Sequence, residues 1–254
     1  MVPIQHQARE PIVRSPACLA HAKATAASGT SATLPVVREV LAVCAHPDDE
    51  SFGLGGVIRS FVQQGSIVRV LCFTHGEAST LGAGARPLGE LRAEELEAAA
   101  SILGVSACKL HGYPDGQLTG VALDVLAALV DEEAAGAELL LAFDEGGITG
   151  HPDHIRATQA ATAAGTHRGL PVLGWALPHI VAARLNAELG SGFVGRASDE
   201  LDFTVEVDRG RQRQAIACHA SQSADNPVLW RRLELLVTTE HLRWLTPTPR
   251  NQAT

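Results

Sequence analysis

The sequence predicts a single α/β domain with a doubly wound, mostly parallel, Rossmann-like sheet flanked by helices. Short apolar runs alternate with segments of helical period up to about residue 177, which is the pattern of βαβ units. The run Val40-Leu41-Ala42-Val43 stops at Cys44-Ala45-His46-Pro47-Asp48-Asp49-Glu50, followed by the glycine-rich Phe52-Gly53-Leu54-Gly55-Gly56. In an open parallel sheet ligands bind in the crevice beyond the carboxyl ends of the strands. The run ending at Phe143 leads in the same way to Gly147-Ile148-Thr149-Gly150-His151-Pro152-Asp153-His154, so two polar turns can face one crevice.

Residues 1–35 contain Pro3, Pro11 and Pro16 and the small-residue tract Ala24 to Thr30, show no sustained period, and read as a flexible N-terminal extension to a domain over 36–254. The first strand is expected over 36–44, then the polar turn, then a helix to about Gln64 that stops at Gly65. A strand over 67–73 completes a right-handed βαβ unit. Residues 74–88 hold too many glycines for regular structure and should form a loop over the crevice. Apolar positions at helical spacing predict a helix over 89–103 closed by Gly104. A strand over 107–110 and the turn Tyr113-Pro114-Asp115-Gly116 follow. Ala122, Val125, Leu126, Leu129 and Val130 form one apolar helix face. A strand over 138–143 delivers the second polar turn. The next helix, 151–164, starts at Pro152, since proline suits the first helical position. Residues 171–177 read as a strand, 201–207 as a half-buried strand, 209–219 as a helix, and 227–245 as one amphipathic helix.

Composition narrows the function. Charged residues make up 19% of the 254 and the formal net charge is −8. No basic field attracts nucleic acid or an anionic membrane, and a neutral or cationic small molecule fits better. No apolar run is long enough for membrane insertion, and the N-terminus lacks the pattern of an export signal. Of the five cysteines none forms a C-x-x-C pair, and Cys44 and Cys72 lie in apolar runs; they read as reduced core thiols of a cytoplasmic protein.

The residue types in the two turns suit metal-assisted amide hydrolysis. A catalytic zinc site takes three protein ligands from histidine and carboxylate and keeps a position open for water. His46, Asp49 and His154 supply such a set, His46 and Asp49 being spaced to point to one side of a tight turn. Asp48 then points elsewhere and is free to act as general base. His151, one turn before His154, lies over the same crevice, where a protonated imidazole can stabilise an oxyanion and protonate the leaving amine.

At these residues the chain resembles the LmbE-like, or PIG-L-like, family of zinc-dependent de-N-acetylases, whose signatures read A-H-P-D-D-E and H-P-D-H. The resemblance extends through Thr74-His75-Gly76-Glu77-Ala78, Leu88-Gly89-Glu90-Leu91-Arg92, Tyr113-Pro114-Asp115-Gly116 and Cys218-His219-Ala220-Ser221-Gln222. It implies that His46, Asp49 and His154 bind Zn2+, with Fe2+ as the alternative ion, and that Asp48 is the base. By the same resemblance His151 is the electrophilic or acid group, Asp153 orients it, and Glu77, Arg92 and Asp115 contact the sugar. The implied reaction removes an N-acyl group, acetyl first, from an N-acetylglucosamine-like amino sugar through a metal-activated water. An amidase acting on a thiol-sugar conjugate is the alternative within the family, and a homo-oligomer is compatible with it.

Two rival classes fit parts of the pattern. Two histidines and a carboxylate also suit a non-haem iron oxygenase, although H-x-x-D on a parallel α/β pattern departs from the H-x-D of that class. A non-catalytic sugar- or nucleotide-binding protein would use Gly53, Gly55 and Gly56, but their spacing is not G-x-G-x-x-G. His219 is open to either a site role or a packing role.

Overall fold

A computed structural model describes residues 30–82, 84 and 86–247. Strand β1 (Glu39–Cys44) ends in α1 (Asp49–Phe52) and α2 (Gly55–Gln63), and β2 (Ile67–Thr74) lies parallel to β1 with Cys44 opposite Cys72. Next come α3 (Leu88–Leu103), β3 (Ala107–Tyr113), α4 (Leu123–Glu133) and β4 (Leu139–Phe143). The short α5 (Gly147–Gly150) and α6 (Pro152–Arg168) lead to β5 (Val172–Pro178), α7 (His179–Leu189), β6 (Gly195–Arg196) and β7 (Phe203–Glu206). The chain then forms α8 (Arg209–Cys218), α9 (Ala220–Ser223), α10 (Pro227–Leu236) and β8 (Thr239–Trp244).

The sheet order is β3-β2-β1-β4-β5-β8-β7, with β6 paired to β5. The first five strands are parallel, and β8 and β7 extend the sheet antiparallel. The order reverses between β1 and β4, so both polar turns emerge side by side at the switch point where such sheets bind ligands. The parallel strands β1 and β4 are buried along almost their whole length, because helices cover both faces. One apolar cluster, around Val57, Phe61, Leu96 and Trp175, packs on one face, and another, around Leu126, Ala160, Ala161 and Ala164, on the other. Cys44 and Cys72 are buried free thiols within this core.

Local chemistry sets the helix ends. Gly104 and Gly169 close α3 and α6 in the left-handed conformation. Pro152 opens α6, and the His151 side chain accepts from the Asp153 N–H as its cap.

Two expectations are corrected. The tail over 227–245 is not one helix: α10 stops at Leu236, Val237 turns to φ 53°, and β8 pairs with β5 and β7. Val237, Thr238 and Thr239 are consecutive β-branched residues, which disfavour helix and favour a strand, and Glu240 and Leu242 alternate inward as the pleat requires. The apolar face of α4 is narrower than expected, with Leu126 and Val130 buried but Val125 49% exposed. Helix α7 falls between the segments whose apolar spacing predicts an element.

Of the extension over 1–35, residues 1–29 lie outside the described residues. Ser31 bridges to Phe203, its N–H donating to the Asp202 carbonyl at 2.8 Å, and Leu34 is buried in the core.

Candidate metal centre and active-site cleft

The end of β1 is folded back by Asp49. Its Oδ2 accepts from the backbone N–H groups of Ala45 (2.9 Å) and His46 (3.0 Å), which leaves Oδ1 facing the crevice. His154, one turn into α6, brings Nε2 to 3.1 Å from Asp49 Oδ1 and 3.1 Å from His46 Nδ1. The other nitrogen of His154 faces the Gly147 carbonyl at 3.3 Å. The ligand atoms of His46, Asp49 and His154 all lie within 4.8 Å of one another. Tetrahedral ligands at about 2.1 Å from an ion sit roughly 3.4 Å apart, close to this spacing. Two imidazole nitrogens and a carboxylate oxygen turned toward one point fit a divalent cation of the zinc or ferrous type.

Asp48 has a different environment. Its backbone is at φ 122°, a region non-glycine residues rarely occupy. Arg92 Nη2 donates to Asp48 Oδ2 at 2.9 Å, and the same guanidinium donates to the carbonyls of Gly76 (2.6 Å) and Pro47. A Cβ on Gly76, itself at φ 65°, would collide with this guanidinium. Behind Asp48, Glu50 Oε2 accepts from the Asp48 N–H at 2.9 Å, while Glu50 Oε1 meets His219 Nε2 at 2.7 Å. Glu50 and His219 are both fully buried, so His219 supports the turn from below.

Environment drives the adjacent aspartates apart. Burial raises Asp48 to about 6; Arg92 opposes the rise and the neighbouring charge of Asp49 adds to it. Burial also acts against an ionised Asp49, yet the His154 and His46 imidazoles hold it far below the usual carboxylate range. Burial likewise disfavours a charged His46, but the Asp115 and Asp153 carboxylates push it up to about 10.

The remaining predicted residues fall into place differently. Asp153 does not orient His151 through its carboxylate: that group lies 3.5 Å from His46 Nε2 and accepts from the N–H groups of Gly116 (2.8 Å) and Leu118 (3.1 Å). It meets His151 only through its own backbone N–H, which donates to His151 Nδ1 at 3.2 Å. Asp115 lines the cleft, but its Oδ1 lies 3.0 Å from His46 Nε2 and its Oδ2 accepts from the Ala78 N–H. Both carboxylates therefore back His46, off the direction of a well-aligned ring hydrogen bond. Glu77 accepts from the Asp115 N–H at 3.0 Å and braces two loops. Arg92 is buried rather than a solvated helix residue.

His151 is half-buried beside His46 and His154, with ring centroids 4.9 and 4.8 Å away. Burial, then these two imidazoles, lower its pKa. Its Nδ1 accepts from the Asp153 N–H, which leaves Nε2 to carry a donor proton.

These groups line a cleft of about 570 Å³. The cleft is also lined by Phe143, Trp175, Phe193, Leu229 and Arg232, which carry no local motif, and by Gln222 from the run Cys218 to Gln222. A Cβ on Gly53 would collide with Phe143, which explains a glycine where α1 passes this wall.

Comparison with known proteins agrees with this architecture. The family described as PIG-L: GlcNAc-PI de-N-acetylase matches residues 41–165. A 1D-myo-inositol 2-acetamido-2-deoxy-alpha-D-glucopyranoside deacetylase of Streptomyces griseus is 31% identical, the alignment covering 80% of this chain and 82% of that protein. The chain belongs to the PIG-L family. Among solved structures, N,N'-diacetylchitobiose deacetylase from Pyrococcus horikoshii superposes with TM-score 0.61 at 21% identity, over 84% of this chain and 88% of that one. The hydratase GalB of Pseudomonas putida, acting on 4-carboxy-2-hydroxymuconate, superposes with TM-score 0.60 at 19% identity, over 86% of this chain and all of that one. The PIG-L fold thus carries more than one reaction, and the chemistry must be argued from the site.

Proposed function

We propose that this PIG-L protein is a zinc-dependent N-deacetylase that removes an acyl group, acetyl first, from an amino-sugar-containing small molecule. The observation that carries the reading is the convergence of His46, Asp49 and His154 on one point, with Asp48 beside it and outside the set. The activity of the Streptomyces griseus relative supports an amino-sugar substrate. A bound divalent ion supplies Lewis acidity and makes a water acidic near neutral pH.

The residues of the chain do the rest. Asp48, raised to about 6 and fixed by Arg92, takes the proton of the attacking water as general base. His151, neutral and turned by the Asp153 N–H, donates its Nε2–H to the oxygen that gains charge as the amide carbonyl is attacked. The proton held by Asp48 is then available to the departing amine. Asp115 and Asp153 hold the His46 ring in position, as carboxylates behind a ligating histidine do.

The test is a screen of N-acetylated amino sugars, including inositol glycosides and thiol conjugates, for release of acetate and free amine by zinc-loaded protein. Stoichiometric acetate and amine from at least one compound is expected. Oxygen consumption, or turnover without acetate, would replace this reading with another.

A further inference from the structure

The cleft also holds an arginine that, among the described residues, has no carboxylate partner. Arg232 is 8% exposed and lines the cleft from α10, on the same face as Val228 and Leu229. Its Nη2 donates to the Phe52 carbonyl at 2.6 Å, its guanidinium lies 5.1 Å over the Trp175 ring, and its Nε has no partner. Among the described residues no carboxylate pairs with it. Glu240, the acid whose charge acts on it most, already accepts from Trp175 Nε1 at 2.7 Å and from Arg209. Asp48 is held by Arg92, and Asp49 by His154 and two backbone N–H groups.

A guanidinium kept from water without a carboxylate is costly, and a carbonyl and an aromatic face offset only part of that cost. Burial lowers its pKa to about 10, so it remains charged at neutral pH. The surrounding apolar groups, Trp175, Leu229 and Val228, exclude water and strengthen any ion pair made there.

We infer that Arg232 forms an oxyanion subsite of the cleft, and that the substrate carries a phosphate or carboxylate group besides the amide that reacts. Arginine is the residue suited to both groups because its planar fork matches their geometry. The net charge of −8 for the whole chain favoured a neutral or cationic ligand, but this local wall is positive. The inference rests on the amino-sugar reading for the identity of the ligand's body, though not for the anion.

The test measures binding to zinc-loaded protein by calorimetry, using amines that cannot be deacetylated: glucosamine 1-phosphate, glucosamine 6-phosphate, muramic acid and methyl glucosaminide. At least one anionic probe is expected to bind about 10- to 100-fold more tightly than the neutral glycoside, the worth of a charge-assisted hydrogen bond. The phosphates and muramic acid separate phosphate from carboxylate as the anion. In Arg232→Gln the anionic-to-neutral ratio should fall to near one, and Arg232→Lys should retain part of it. Arg232→Met, of similar volume over Trp175, replaces the glutamine variant if that does not fold, and if neither folds the wild-type ratio decides.

A wild-type ratio near one overturns the subsite, and so does a preference that survives Arg232→Gln, since the anion would then sit on the zinc. The N-acetylated forms of the same probes are assayed for acetate in parallel. An anion preference without acetate release sinks the deacetylase reading and leaves the subsite standing, whereas acetate release without the preference does the reverse.

Discussion

The two walls of the cleft are built on opposite rules. On the strand-end wall every charged group has a partner: His46 with Asp115 and Asp153, Asp49 with His154, and Asp48 with Arg92. On the wall from β5 and α10 the surface is aromatic and aliphatic, and among the described residues its cation Arg232 has no carboxylate partner. Full pairing fixes side chains to the tolerance that proton transfer needs. An unpaired group over apolar surface waits for a ligand to complete it. Chemistry is thus assigned to the first wall and selection to the second, and variants can break that division.

The largest effects belong to the ligand set. His46→Ala, Asp49→Ala and His154→Ala should each lower divalent-ion occupancy and abolish turnover, because three ligands leave no redundancy. Elemental analysis of purified variants checks this, and full occupancy in all three would remove the assignment. Zinc uptake by wild-type protein should release protons, since an imidazole must be neutral to ligate and the Asp115 and Asp153 carboxylates push the His46 pKa up. Proton release in weak buffer measures it.

Next comes Asp48. Asp48→Asn should keep the ion yet lower kcat by about 10² to 10⁴, the usual worth of a positioned base. Asp49→Asn should instead weaken ion binding. In wild-type protein kcat should fall as pH drops through about 6, because a protonated Asp48 cannot accept, and the positive ion can only move that limb lower. An acid limb unchanged in Asp48→Glu would assign it to another group. If Asp48→Asn loses the ion while Asp49→Asn keeps it, the two roles are exchanged.

Smaller losses, about 10- to 100-fold in ion affinity or rate, are expected for Asp115→Asn and Asp153→Asn, the typical effect behind a ligating histidine. Were Asp115 a sugar contact alone, its variant would raise KM and leave ion affinity unchanged, so a zinc titration distinguishes the two. The smallest effect is expected from removing residues 1–29, which carry no motif residue and precede Ser31 and its bridge to β7: activity should stay within about twofold. A larger loss with the ion retained would place that segment over the cleft.

How much of this was legible in sequence follows from how far apart the cooperating residues lie. His46, Asp48, Asp49, His151 and His154 occur in two short runs directly after strands, so local spacing exposes them. The parallel half of the sheet was readable for the same reason, since each strand is a continuous apolar run. Asp115 and Asp153 were found but given other tasks, because only the folded chain brings both carboxylates to His46 Nε2. Arg92 sits on a helix of mixed polarity, where burial at one arginine leaves no periodic trace. Arg232 and the break at Val237 were missed together: an amphipathic period continued past residue 236, although three β-branched residues argued against it.

The short helix α1 is stitched to the far end of the chain. His219 reaches Glu50 across 169 positions, Gln212 donates to the carbonyls of Ser51 and Phe52 across 161 and 160, and Arg232 to Phe52 across 180. During synthesis at about 5–20 residues per second, β1 emerges roughly 10–30 seconds before these partners exist. The ligand turn of a nascent chain therefore lacks its lower supports until α8 and α10 are made. Chains halted before residue 209 should form the β1–β4 sheet but bind zinc weakly, so a C-terminal truncation would accumulate as apo-protein even where zinc is plentiful. Ion capture should therefore follow completion of α8 and α10.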